Sequence, residues 1–180
     1  MQTQDIINAI YNYYPRQVDQ NDVSAVKDSL EYKARVKKCH DAVENNWAWS
    51  EFKNELTEYS LSIGSSRLYD YSMLGNVPCY HGSIRLNTPE PVIISVFISI
   101  IIPLWAYKIT GIREETTVRY KYGSKREDMF INELTSIVNR HFPSYSFVHE
   151  NQHKIVISDI VTAFKASPTI FEAIFTESEN

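Results

Sequence analysis

Glycine and cysteine are scarce in this chain, which has five glycines and two cysteines among 180 residues. So few glycines leave little material for a loop that cradles phosphate, and neither G-x-G-x-x-G nor G-K-[ST] occurs. Cys39 and Cys79 could pair by count, but in a reducing compartment they read as free thiols. The zinc-helix pattern H-E-x-x-H is missing as well. There is no basic excess: 18 Lys and Arg stand against 22 Asp and Glu, whereas nucleic-acid binders usually carry a basic face. The one basic cluster, Tyr32 to His40, lies in a helical pattern beside acidic residues and reads as a solvated helix face. "MQTQDIINAIYNYYP" at the start lacks the basic region and long apolar run of a secretory signal, so a cytoplasmic location is expected.

A membrane-spanning run is also missing, although "PVIISVFISIIIPLWAY", Pro91 to Tyr107, comes close. A spanning helix needs about 20 consecutive apolar residues, and this stretch includes Ser95, Ser99 and two prolines. Its β-branched residues are stiff at χ1 and suit a pleated surface. Ile94, Val96, Ile98 and Ile100 alternate with Ser95, Phe97 and Ser99, giving one aliphatic face at a period of two. The run is therefore read as a central strand that ends or bulges at Pro103, which has no N–H to donate, with a second extended segment from Leu104 to Thr110.

Before this run the apolar period is helical. Ile6, Ile7, Ile10, Tyr11 and Tyr14 mark a first helix, with Thr3 as cap and Pro15 as stop. Ser24 to Asn45 has no Gly or Pro and carries a drifting stripe of Val26, Leu30, Ala34, Tyr32, Val36, Cys39 and Val43, so it predicts one long helix or two nearly continuous ones. A third helix contains Phe52, Leu56 and Tyr59 and ends near Ser60 to Gly64. Cys79 to Asn87 alternates as a strand and forms a hairpin with the apolar run through "TPEP". The "GIREE" loop then leads to a last meander strand, Thr116 to Tyr122. Ser124 and Glu127 form an S-x-x-E box ahead of a stripe of Phe130, Ile131, Leu134, Ile137 and Val138, predicting a helix from Ser124 to His141. "YSFVHENQHKIVISDIV" suggests a short hairpin around "ENQ", and "SPTIFEAIFTESEN" a closing helix capped by Ser167.

With no internal repeat and no shift of composition, the pattern predicts one α+β domain over residues 1–180. An N-terminal helical layer of about three helices (about 1–64) is followed by a mainly antiparallel sheet with C-terminal helices packed on it (about 78–180). The central strand should be covered on both faces, by the N-terminal helices on one side and by Ser124 to His141 on the other.

Chemistry-bearing residues are few. Cys79 and His81 stand two apart, the minimum for a thiolate–imidazole pair, but no oxyanion loop surrounds them. His149, Glu150 and His153 have a ligand-like spacing in a predicted turn without a fourth partner, so no metal site and no cofactor is expected. His40 and Asp41 are helix neighbours and point apart. What stands out is aromatic: twelve tyrosines, three tryptophans and eight phenylalanines. Trp47 and Trp49 read as packing between helices and sheet, whereas Tyr69, Asp70 and Tyr71 fall in a loop where binding residues concentrate.

The expectation is a non-catalytic, cytoplasmic protein-binding protein. Its most concrete version is a small acidic immunity or antitoxin-type inhibitor that covers a basic toxin domain. The partner-binding residues would be Tyr69, Asp70 and Tyr71, with Glu114 and Glu115 of "GIREE", and neither nucleic acid nor membrane would be a partner. The alternatives are a small enzyme with a Cys79/His81-type site between the helical layer and the sheet, and a homo-oligomeric structural subunit, for example a homodimer joined at a strand edge.

Overall fold

The computed structural model describes residues 1–19, 22–74, 77–111, 118–119, 124–162 and 166–176. The first helix, α1 (Thr3–Ile10), buries Ile6 and Ile10. The Gly- and Pro-free segment forms two helices, α2 (Val23–Asp28) and α3 (Leu30–Glu44). Ser29 separates them: its extended backbone ends α2, and its Oγ accepts the Tyr32 N–H at 3.1 Å to start α3. α4 (Trp47–Ser62) buries Trp49, Phe52, Leu56 and Ser60.

The stripe expected on α3 is not buried. Leu30 is 82%, Val36 47% and Val43 54% exposed, and the buried residue of this helix is Arg35. Arg35 lies over the rings of Tyr14 and Tyr32 at 4.9 and 5.1 Å and donates to the Tyr14 hydroxyl at 3.3 Å. α3 thus leans on the body through a cation on aromatic faces, helped by the Tyr80 hydroxyl donating to the Ala42 carbonyl at 3.0 Å.

Strands β1 (Tyr69–Asp70), β2 (Cys79–Leu86), β3 (Val92–Ser99), β4 (Leu104–Gly111) and β5 (Val118–Arg119) pair antiparallel in that order, with β3 in the middle. Ile84 pairs with Ile94, which pairs with Ile109; Tyr80 pairs with Ile98, which pairs with Trp105. The hairpin and meander expected from the alternation are present, but β3 ends at Ser99 rather than at Pro103, and the chain bends through Ile100 to Pro103 before β4. Only Val118 and Arg119 of the expected last strand are described; its remaining residues, and Glu114 and Glu115, lie outside the described residues. Among the described residues no helix is long and apolar enough to cross a membrane.

One sheet face is the aliphatic one. Ile84, Leu86, Val92, Ile94, Val96, Ile98, Trp105, Tyr107 and Ile109 are buried there against Trp49, Phe52 and Leu56 of α4 and Phe130, Ile131, Leu134 and Ile137 of α5 (Lys125–His141). Both helices cover this face, so the expected division, N-terminal helices on one side and Ser124 to His141 on the other, is corrected. A ring contact between Tyr59 and Phe130 (5.8 Å) joins them, as does Glu55, which accepts from His141 Nε2 at 2.7 Å and pairs with Arg140. Each stripe says that a helix must be buried but not against which face. The cap of α5 is as expected: Ser124 Oγ accepts the Glu127 N–H at 3.2 Å.

On the other face, α1 packs with the chain after α5, burying Ile6, Ile10, Val148, Ile157, Ile160, Ile170, Phe171, Ile174 and Phe175 against Cys79, Phe97, Leu104 and Ala106. This C-terminal part departs from the expected hairpin. β6 (Ser146–Phe147) pairs parallel to Leu104 and Trp105, and "ENQ" lies in a short helix, α6 (Glu150–His153). The closing helical turn is a π-helix, Glu172–Thr176, and its cap is Thr169 rather than Ser167: Thr169 N–H donates to Glu172 Oε2 (2.7 Å) and Glu172 N–H to Thr169 Oγ1 (3.2 Å). Thr169 and Glu172 spell the same S/T-x-x-E box as Ser124 and Glu127.

Ile98, 0% exposed, sits at the centre of the aliphatic face. Ile98→Asp should abolish cooperative folding, because an unpaired buried carboxylate costs several kcal/mol against a total stability of ~5–15 kcal/mol. A circular-dichroism melt checks this; a parent-like transition would place Ile98 at the surface.

Candidate functional site: the uncovered half of the sheet

Along β2, β3 and β4 the second face changes from dry to wet. Cys79, Ser99 and Leu104 are buried at one end; His81 is half-buried beside buried Phe97 and Ala106; Ser83, Ser95 and Lys108 are half-buried; Arg85 and Ile93 are exposed beside half-buried Thr110. The gradient arises because the described residues of the C-terminal segment pack on only part of the strands' length. Two buried rings of that segment, Phe171 and Phe175, stand against Phe97 at 5.1 and 6.0 Å.

Register assembles the open half into rows. Tyr69 pairs with Ser83, Ser83 with Ser95, and Ser95 with Lys108, which puts all four side chains on one face. Tyr71 N–H donates to the His81 carbonyl at 2.8 Å, so the next row runs Tyr71, His81, Phe97, Ala106. Tyr69 and Tyr71 are 47% and 56% exposed, and Met73 follows at 60%. The Arg67 guanidinium lies over Tyr69 at 5.3 Å, and the Tyr71 ring is 5.6 Å from that of His81. Gly82 lets this edge lie close: a Cβ there would meet Leu68 Cδ2 at 2.7 Å.

Lys108 is the unusual member. Its ammonium sits 3.7 Å from the Phe171 ring centroid and 5.9 Å from that of Phe97. Among the described residues it makes no hydrogen bond or ion pair, and Glu172 acts on it only through space. Burial pulls its pKa below the ordinary lysine value, with Glu172 opposing. Beside it, His81 stacks on Phe97 at 4.4 Å, and its Nε2 is buried without a hydrogen-bond partner among the described residues. Burial, then the Lys108 charge, push the His81 pKa down to about 4, so the ring is neutral. The Ser83 and Ser95 hydroxyls bond each other at 2.9 Å. One of them must donate to the other, leaving the acceptor's own O–H to point elsewhere.

Asp70, between the two tyrosines in sequence, faces the opposite way. Its partner in the ladder is Gly82, on the α4 side, and its Oδ2 accepts from Trp49 Nε1 at 3.1 Å and Lys53 Nζ at 2.7 Å. Oδ1 accepts the Ser72 N–H at 2.9 Å. Burial raises the Asp70 pKa, but the hydrogen bonds from Lys53, Ser72 and Trp49 outweigh it and hold the carboxyl below its usual value. Of the residues expected to bind a partner, the structure therefore brings Tyr69 and Tyr71 onto one open face and turns Asp70 to the opposite side, where it braces β1 against α4.

The other sequence-level candidates fall into packing roles. The Cys79 thiol donates to the Phe175 carbonyl at 2.7 Å, and burial pushes its pKa far up, so it is not presented as a nucleophile beside His81. Both cysteines are free thiols. His153 is 3% exposed, with Nε2 at 3.0 Å from the Val148 carbonyl, and among the described residues no three His, Cys, Asp or Glu side chains gather as a metal site. Trp49 packs in the layer as expected, stacked on Phe52 and Tyr80 at 5.2 and 5.1 Å, but Trp47 is 71% exposed. Lys108 escaped notice in the sequence; its signal was a charge inside the otherwise apolar strand "LWAYKIT".

Two outcomes follow from these contacts. Asp70→Ala strands the Trp49 indole N–H and should lower stability by about 1–3 kcal/mol in a urea titration followed by tryptophan fluorescence. Stability should also fall with acid. Folded His81 and His153 titrate at about 4, against 6.5 when unperturbed, so between those values the unfolded chain binds more protons and stability drops as the pH falls; the histidine contribution levels below about 4, while protonation of the depressed Asp70 carboxyl carries the loss on below that. His81→Phe keeps a ring over Phe97 and should remove up to about 1.4 kcal/mol per pH unit from that slope; an unchanged slope would assign the acid sensitivity elsewhere.

Compared with protein-family models, curated proteins and solved structures, the chain matches none of them.

Proposed function

We propose that the chain is a non-catalytic protein-binding module and that the open half of the second sheet face, with Tyr69 and Tyr71 at its edge, is the contact surface. One observation carries this reading: two large rings stay exposed on and next to β1, beside a half-buried polar row, while the other end of the same face is closed by the chain's own C-terminal segment. Exposed tyrosines on a fixed scaffold offer large contact area at little entropic cost and keep a polar tip. The β1 edge itself is a poor template for strand addition, because Leu68 N–H donates to Thr57 Oγ1 at 3.3 Å and Asp70 is tied to α4. Side chains rather than backbone therefore make the contact.

Tyr69→Ala with Tyr71→Ala should melt within a degree or so of the parent, since neither ring is in the core, yet weaken the partner by about 2 kcal/mol or more. Affinity capture from the native host with the parent, this double variant and a Val36→Ser control on α3 checks it. A partner retained by parent and control and lost by the double variant supports the reading; equal retention by all three, or an unfolded double variant, defeats it.

A further inference from the structure

Among the described residues the cations of the open face lack direct ion pairs, and Glu172 acts on Lys108 only through space. Arg67 and Arg85 at its rim and Lys108 at its centre have no carboxylate in ion-pair contact among the described residues, even though the chain as a whole carries a net charge of −4. Asp70, close to Arg67 in sequence, is on the other side of the sheet and already holds Lys53. A half-buried ammonium resting on an aromatic ring has lost part of its hydration and still has N–H donors to offer, an arrangement that an anion completes.

We infer that this face captures an acidic, extended segment of a partner protein, with a carboxylate seated on Lys108 beside the Ser83–Ser95 hydroxyl pair and the neighbouring backbone lying across the strands toward Tyr69 and Arg67. This rests on the binding role proposed above and adds the chemistry of the occupant. Phe97 is the floor of the seat, Phe171 its wall, and the spare hydroxyl proton of the serine pair a further donor. From Lys108 to Tyr69 the row crosses three strand spacings, ~14 Å in all, which about four or five extended residues bridge. A peptide with a few carboxylates matches three separate cations. A single-stranded nucleic acid fits less well: one face of the Tyr69 ring is already taken by Arg67, and a continuous polyanion would run on from these cations over a net acidic chain.

The test is selection from a randomised eight-residue peptide display library on the intact parent, on Lys108→Met and Lys108→Arg, and on the Tyr69→Ala, Tyr71→Ala double variant, each first shown to be folded by its melt. Segments selected by the parent should be enriched in Asp and Glu, bind about tenfold more weakly to Lys108→Met, and weaken as salt rises, while Lys108→Arg retains them. Should Lys108→Met not fold, replacing Glu by Gln in the selected peptides reads out the same contact. Neutral or basic segments that depend on the tyrosines would overturn the acidic assignment and leave the binding role standing. Failure to select any segment that the tyrosine variant loses would defeat both. An oligouridylate that binds the parent more tightly than the selected peptides and competes with them would assign the face to nucleic acid instead.

Discussion

Everything in this fold depends on keeping one face of β3 dry. Val92, Ile94, Val96 and Ile98 form a continuous aliphatic strip, extended sideways by Ile84 and Leu86 on β2 and by Trp105, Tyr107 and Ile109 on β4. Each such side chain contributes about 1.5–3 kcal/mol when removed from water, so no single helix is broad enough to satisfy the strip. Two helices from distant parts of the chain, α4 and α5, lie side by side over it. The pairing of Glu55 with Arg140 and His141 works at the rim of this layer, where partly exposed charges add little energy but fix which helix surfaces meet.

The second face is governed by supply. After α5 has been committed to the first face, what remains to cover the other is α1 and the irregular C-terminal segment, and together they close only its end near Cys79, Ser99 and Leu104. The sequence of the strands accommodates this. Toward the uncovered end the inward-facing positions change from Leu104 and Ala106 to Lys108 and Thr110 on β4, and from Cys79 to Ser83 and Arg85 on β2. A polar residue in a sheet is tolerated where water or a partner can reach it, so the open half is written into the strands as well as left by the packing.

The candidate face was half legible in the sequence. Tyr69 and Tyr71 could be singled out because they were aromatic outside any core periodicity, and they are exposed. Adjacency in a loop suggests a shared face for Asp70, but once Tyr69 and Asp70 pair with β2, alternation separates them. Lys108, Ser83 and Ser95 were invisible as a group, since they belong to different strands and meet only through register. Trp47 and the α3 stripe misled for a related reason: an apolar period shows what a helix can bury, not whether a surface is there to receive it.

What the sequence determined by itself was local. The period-two run from Val92 and the Ser124 cap depend on stiff β-branched side chains and a hydroxyl within reach of its own backbone, all settled within a few residues. Which face each helix covers, how far the C-terminal segment reaches and which way Asp70 turns were decided only in three dimensions. Those outcomes depend on competition among distant surfaces for the same apolar area, and the surfaces do not exist until the strands have paired.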